Sequence, residues 1–213
     1  MDFYHGHGSA PSWRVWLALE FKGVPYDVKI LSFSDNDTTK PAFVAINPRH
    51  TVPTIVDGGY TLWESIAILE YLDERFPGAA KLYPGDASDR ARLRRLIREM
   101  EYYVHNECID KIIDELFWKE GAEPDMEKVG KLRDKLRDEL AYFAKELRGK
   151  FIAGDSLSAA DFVLYPCLGY CWRINMRKPE AGLGDVIPPA LADYKKRIEA
   201  LPYFDKTFPT HWR

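Results

Sequence analysis

The stretch Asn47-Pro48-Arg49-His50-Thr51-Val52-Pro53-Thr54-Ile55, followed eleven residues after Pro53 by Glu64-Ser65-Ile66-Ala67-Ile68-Leu69, decides how this 213-residue chain is read. Pro53 stands between Val52 and the β-type run Thr54-Ile55-Val56, and proline cannot donate to a ladder, so it marks a strand edge or strand start. An X-Pro bond is the place where a cis peptide is tolerated. A cis bond here turns the Val52 N–H and C=O away from the sheet, where they can pair with an extended peptide as an added strand does. The helix expected from Glu64-Ser65 opens with unpaired N–H groups and the positive end of a dipole, which suit a carboxylate. A peptide clamp and a carboxylate clamp this close together describe a site for a small acidic peptide.

Toward the N-terminus, residues 1–4 read as a short strand, and His5-Gly6-His7-Gly8-Ser9-Ala10-Pro11 as a glycine-bearing loop. From Ser12, the apolar set Val15, Trp16, Leu19 and Phe21 predicts an amphipathic helix. Gly23 closes it, with Pro25 as a stop. Residues 26–31 read as a strand, 33–40 as a polar turn region and 41–46 as a short helix. Thr54-Ile55-Val56 and Tyr60-Thr61-Leu62 flank Asp57-Gly58-Gly59, a hairpin signal. The helix from Ser65 buries Leu69, Leu72 and Phe76 at steps of three and four. The order is therefore βαβ, then ββα.

Residues 77–86 contain two Pro-Gly steps and read as a linker. Beyond them everything looks helical. Leu93, Leu96, Ile97, Met100 and Val104 form one stripe; Val129, Leu132, Leu136, Leu140, Phe143 and Leu147 form another that runs to Gly149. Ser158-Ala159-Ala160-Asp161 is a capping box with Asp in place of the usual Glu, flanked by a Leu157/Phe162 staple. Ser158 and Asp161 are thus read as structural.

The chain is 46% apolar and 30% charged, which suits an ordinary globular protein of one large or two small domains. A net charge of −3 supplies no basic field to recruit nucleic acid. No apolar run approaches the ~20 residues that span a bilayer, and residues 1–10 lack the pattern of a signal peptide. The expectation is a cytoplasmic protein with no nucleic-acid or membrane partner. Cys108, Cys167 and Cys171 form no CxxC motif and read as core residues. His5 and His7 lack a third ligand at suitable spacing, so no metal is expected. Arg90, Arg92, Arg94, Arg95 and Arg98 read as a solvated helix face, near a subunit interface or not.

Pro48-x-x-x-Val52-Pro53 followed by Glu64-Ser65-x-Ala67-Ile68-Leu69-x-Tyr71-Leu72 resembles the glutathione transferase family. Tyr4-x-x-x-x-Ser9-x-x-Ser12-x-Arg14-Val15 is similar to its serine-type members, the theta and zeta classes. The resemblance implies a thioredoxin-like, glutathione-binding domain over 1–78 and a helical-bundle domain over 87–213. It implies a detoxifying homodimer with glutathione as co-substrate and a small electrophile as second substrate. His50, Thr51, Val52, Pro53, Glu64 and Ser65 would hold glutathione, Glu64 taking the γ-glutamyl amino group and Ser65 the adjacent carboxylate. His7, Tyr102, Tyr103 and Asn106 would line the electrophile pocket between the domains, with Phe204, Phe208 and Trp212 as its cover. The alternatives are a maleylacetoacetate-isomerase-like enzyme and a non-catalytic glutathione-binding scaffold. Zeta members carry cysteine where this chain has Pro11, which weakens the isomerase reading. His50 and Thr51 depart from the family's usual residues before Val-Pro.

Ser9 is the expected catalytic residue, because the thiolate of glutathione is the nucleophile and a hydroxyl donor aimed at sulfur favours it. A hydrogen bond to a charged group contributes roughly 1.5–3 kcal/mol, or about one to two pKa units. Tyr4 is the competing donor, and Ser12 is the expected cap of the first helix.

Overall fold

The structure, a computed structural model, describes residues 1–119 and 121–212. The chain divides into two compact units: residues 1–83 together with the tail from Pro202, and residues 84–201.

The first unit is built on a four-stranded sheet of order β2-β1-β3-β4, with β1 Asp2–His5, β2 Asp27–Ile30, β3 Thr54–Asp57 and β4 Tyr60–Trp63. β1 runs parallel to β2 and antiparallel to β3, with Tyr4 opposite Thr54. The parallel pair needs a crossover, and α1 (Ala10–Lys22) supplies it; α2 (Pro41–Val44) and α3 (Ser65–Arg75) complete the layer set. Strand alternation sends Phe3 and His5 to one face, where the Trp16 ring of α1 lies 6.2 and 4.6 Å from theirs. Tyr4 points to the other face, 5.5 Å from Phe43 of α2. The β3–β4 turn is Gly58-Gly59, both at positive φ, with Asp57 the last residue of β3.

α1 begins earlier than its hydrophobic pattern indicated. Ser9, not Ser12, is its cap: the Ser9 Oγ accepts from the Ser12 N–H at 3.3 Å, and Ser12 is buried. Pro11 in the first turn is the local reason, since a proline there forgoes only an N–H that a helix start leaves unpaired. At the other end Gly23, φ 62°, donates to Leu19 and Glu20 carbonyls. Residues beyond α3 are tied back onto it: the Lys22 Nζ meets Asp73 at 3.3 Å and the Ala80 carbonyl at 2.8 Å, and Leu82 N–H donates to Asp73.

The tail carries α9 (Phe204–Thr207) and packs on α1. Trp13 Nε1 donates to Thr207 Oγ1 at 3.2 Å, and the Trp13 ring lies 6.2, 5.7 and 5.5 Å from those of Phe204, Phe208 and Trp212. Lys206 pairs with Glu20 at 2.6 Å.

The second unit is all-helical. A helical run comprises α4 (Ala87–Glu99), a π-helical stretch (Met100–Asp110) and α5 (Lys111–Phe117); then come α6 (Met126–Lys145), α7 (Ala159–Arg177) and α8 (Pro189–Glu199). The first expected stripe, Leu93 to Val104, is buried throughout. In the second, Val129, Leu136, Leu140 and Phe143 are buried, but Leu132 and Leu147 are half-exposed and α6 stops at Lys145, short of Gly149. Ser158 donates to Asp161 Oδ2 through both its N–H, at 2.8 Å, and its hydroxyl, at 2.7 Å. Asp161 also accepts from Ile152 N–H at 2.9 Å, so the box anchors the loop before it as well as α7. Cys108, Cys167 and Cys171 are buried. Arg92 pairs with Glu146, Arg95 with Glu99 and Glu146, and Arg98 with Glu101, so these arginines serve the unit's own surface. Among the described residues no helix is long and apolar enough to cross a membrane.

Candidate functional site

The loop after β1 makes a tight turn in which Ser9 N–H donates to Gly6 C=O at 3.2 Å. Gly8, the third residue of that turn, has φ 88°, which a type II turn requires and L side chains resist. Both glycines allow close approach, and the approaching groups belong to the protein itself. A Cβ on Gly6 would stand 2.5 Å from the Phe33 ring and 3.1 Å from Val52 Cγ2; one on Gly8 would stand 3.2 Å from the His211 ring. The turn that ends at Ser9 thus packs Gly6 on Val52 and Gly8 under the tail.

Ser9 is half-exposed at the N-terminus of α1. Its hydroxyl oxygen uses one lone pair for the Ser12 amide, and its O–H remains to donate outward. Capping and stabilising an anion are therefore compatible duties of one side chain. Tyr4, on the opposite face of the sheet against Phe43, is set apart from this turn by strand alternation.

Below the turn, sequence reasoning missed a file of side chains. His5 Nδ1 lies 2.9 Å from Ser12 Oγ, and His5 Nε2 lies 3.3 Å from His7 Nδ1. His5 is fully buried, and burial with the neighbouring His7 pushes its pKa down to about 3. His7 is half-exposed, and burial lowers its pKa as well. The available signal was the period of β1, which sends His5 toward α1.

The Asn47–Thr54 segment is held by the buried Asn47. Its Nδ2 donates to Thr51 C=O at 2.9 Å and Thr54 Oγ1 at 3.0 Å, and its Oδ1 accepts from Arg49 N–H at 2.9 Å. His50 is exposed at φ 58°, and Thr51 is exposed beside it. The Val52–Pro53 bond is cis. Among the described residues the Val52 N–H and C=O meet no hydrogen-bond partner, because β3 begins only at Thr54.

Glu64 precedes α3 at φ 70°, ψ 105°, a strained conformation for a residue with a Cβ, and makes no side-chain cap. The first intrahelical bond of α3 runs from Ile68 N–H to Glu64 C=O, so the amides of Ser65, Ile66 and Ala67 lie ahead of it. Ser65 is nearly buried, and its Oγ accepts from Arg14 Nη1 at 3.2 Å; Arg14 itself is fully buried. Arg14, a member of the serine-type signature, thus ties α1 to the start of α3.

His7 shares the turn of Ser9, whereas Tyr102, Tyr103 and Asn106 belong to the helical unit. Tyr102, Tyr103 and Asn106 are exposed on the π-helical stretch, the two tyrosine rings 5.0 Å apart. Among the described residues no group of three or more His, Cys, Asp or Glu side chains is arranged to hold a metal ion.

The first unit is a thioredoxin-like domain whose sheet end gathers a hydroxyl, an open backbone edge and a helix N-terminus; an all-helical unit accompanies it. The glutathione S-transferase N-terminal domain family matches residues 8–75, and the glutathione S-transferase C-terminal domain family matches residues 100–202. The chain is 32% identical over 168 residues to glutathione S-transferase D7 of Drosophila melanogaster, covering 77% of this chain and 71% of that one. The crystal structure of a glutathione S-transferase from the Antarctic clam Laternula elliptica superposes with a TM-score of 0.81 at 29% identity, over 99% of this chain and 93% of that one. A delta-class glutathione transferase of Nilaparvata lugens has the same fold, with a TM-score of 0.75 at 24% identity over 100% of this chain and 94% of that one. The chain belongs to the glutathione S-transferase family.

Proposed function

We propose that this protein is a serine-type glutathione transferase, in which Ser9 stabilises the thiolate of bound glutathione for attack on a small, largely apolar electrophile. The observation that carries this reading is the assembly, within one unit, of three complementary groups. The Ser9 hydroxyl stands at the start of α1, Gly6 of its turn packs on Val52, and α1 also supplies Arg14 to Ser65. The open Val52 N–H and C=O would pair with the cysteinyl main chain as an added strand, beside Pro53. Ser65 and the leading amides of α3 would take the γ-glutamyl carboxylate, with Glu64 on the amino group. His50 and Thr51, exposed before Val52, would meet the glycyl arm.

With the tripeptide so held, its sulfur meets Ser9 O–H and the positive end of α1. Both favour the anion, since a hydrogen bond to a charged group contributes about 1.5–3 kcal/mol and a helix N-terminus about 0.3–1 kcal/mol. The theta/zeta-like signature of Tyr4, Ser9, Ser12 and Arg14 supports the serine-type assignment, while Pro11 removes the cysteine on which an isomerase of the zeta kind would draw. His7, Tyr102, Tyr103 and Asn106 are the residues proposed to meet the electrophile. A homodimer acting in the cytosol on electrophilic toxicants, without a metal, fits the family's habit.

Calorimetry with glutathione, followed by product analysis with a panel of aryl halides, epoxides and peroxides, tests this function. Binding together with conjugation of at least one member is the expected result. Binding without turnover across the panel favours the scaffold reading, and absence of binding overturns both.

A further inference from the structure

The file Ser12–His5–His7 lies inside the turn that carries Ser9, and helix capping does not require it. Ser12 Oγ, His5 Nδ1, His5 Nε2 and His7 Nδ1 follow one another at 2.9 Å and 3.3 Å across the two contacts. His5 is fixed by burial under Trp16, whose ring centroid is 4.6 Å away. Because His7 commits Nδ1 to this file, its Nε2 is the ring nitrogen left for other partners. His7 occupies the second position of the Gly6–Ser9 turn, two residues from the hydroxyl assigned to the sulfur, and it is half-exposed.

We propose that His7 Nε2 accepts the proton that glutathione loses when its thiol ionises, so that the bound pair is a thiolate beside an imidazolium. This rests on the glutathione site proposed above. In the tautomer that fits, His7 Nδ1–H donates to His5 Nε2 and His5 Nδ1–H donates to Ser12 Oγ, leaving His7 Nε2 bare. The S–H bond breaks with its electron pair on sulfur, and a new N–H bond forms at His7 Nε2; no other proton need move. When the thiolate forms its carbon–sulfur bond and a leaving group departs with its pair, the imidazolium proton neutralises that anion. The groups facing His7 are His5 on β1, Trp16 on α1 and the His211 ring, 6.4 Å away, in the tail. Among the described residues no carboxylate, Lys or Arg is hydrogen-bonded or ion-paired to it. Burial holds His7 neutral before glutathione arrives, which readies it as an acceptor, and an adjacent thiolate favours its charged form.

Proton accounting separates this role from a structural one. Glutathione thiolate is read by its ultraviolet absorbance, and proton release by calorimetry in buffers of different ionisation enthalpy, for the wild type and His7→Gln near pH 7. The expected result is thiolate formation in the wild type with clearly less than one proton released per thiolate, rising to about one in His7→Gln. The ratio is taken per thiolate formed at saturating glutathione, so any change in affinity that removing the acceptor brings does not enter it. Full release by the wild type, or the same ratio in both proteins, overturns the proposal while leaving the glutathione site standing. Failure of the wild type to bind glutathione overturns the site reading and this one with it.

Discussion

Arg14 donates from Nη1 to the Oγ of Ser65 across 3.2 Å, with Arg14 fully buried and Ser65 nearly so. The contact spans fifty-one residues of sequence and couples the helix that begins at Ser9 to the helix that begins at Ser65. A hydroxyl that accepts from a guanidinium keeps its hydrogen to donate elsewhere, so the contact both orients Ser65 and places positive charge behind it. Arg14→Met preserves bulk and removes both effects. Glutathione affinity, measured by calorimetry, should fall about ten-fold, equivalent to about 1.4 kcal/mol. Folding stability should change by no more than about 3 kcal/mol, because an apolar replacement of a buried charge leaves little uncompensated. An unchanged affinity in a folded variant would remove Arg14 from the site.

Gly8 and Gly23 both lie at positive φ, 88° and 62°, but their surroundings differ. A Cβ on Gly23 has nothing within 4 Å, whereas one on Gly8 meets the His211 ring at 3.2 Å. Alanine at either position should cost about 1–2 kcal/mol of backbone strain, or about 2–4 °C of melting temperature per kcal/mol. Only Gly8→Ala should also lower kcat/KM, since it displaces the turn that seats Ser9. Equal activity of the two variants would show that the turn's geometry is immaterial to catalysis.

His5 gives the stability an acid limb. Burial, then the neighbouring His7, lowers its folded pKa from 6.5 to about 3. A base with a depressed folded pKa contributes stability that is complete above its unfolded pKa, here 6.5, and is lost as pH falls toward 3. Urea unfolding at pH 7 and pH 4.5 should show a marked loss at the lower pH in the wild type. In His5→Asn that loss should shrink, although the variant is less stable at pH 7. An identical pH increment in both proteins would mean that other groups carry the acid sensitivity.

In the helical unit, Ser158→Ala removes a hydroxyl that donates to Asp161 at 2.7 Å inside the core. The loss should be about 1–3 kcal/mol, the range for an N-cap or a hydrogen bond to a charged group. The melting temperature should drop by several degrees while kcat and KM of the folded enzyme at 25 °C hold. A selective loss of activity without loss of stability would give Ser158 a chemical role that the structure does not.

What could be read from the residues was local. Val52-Pro53 and Glu64-Ser65 announced their elements because proline and a helix start constrain the backbone where they stand; period and turn signals yielded the βαβ, then ββα order, and the family resemblance made that order thioredoxin-like. The cap of α1 was misplaced on Ser12 although Pro11 marks a helix start, because the apolar pattern begins only at Val15 and hides the first turn. The His5–Ser12 and Arg14–Ser65 bonds were invisible for a different reason: each joins two elements, and one sequence carries no record of which faces meet. The π-helical stretch was also missed. Its buried positions Met100, Val104, His105, Cys108 and Ile109 step by four to five, which a template of three and four absorbs without complaint.

The thiol of glutathione bound to the wild type and to Ser9→Ala, titrated by its thiolate absorbance, is the measurement to make first. The bound thiol should ionise about one to two pKa units lower in the wild type than in Ser9→Ala, the share that one hydroxyl donor supplies. The variant's lost cap, about 1 kcal/mol, registers separately in its melting temperature. If both proteins titrate at the same pH, Ser9 is a cap and nothing more, and the thiolate owes its stability to another group.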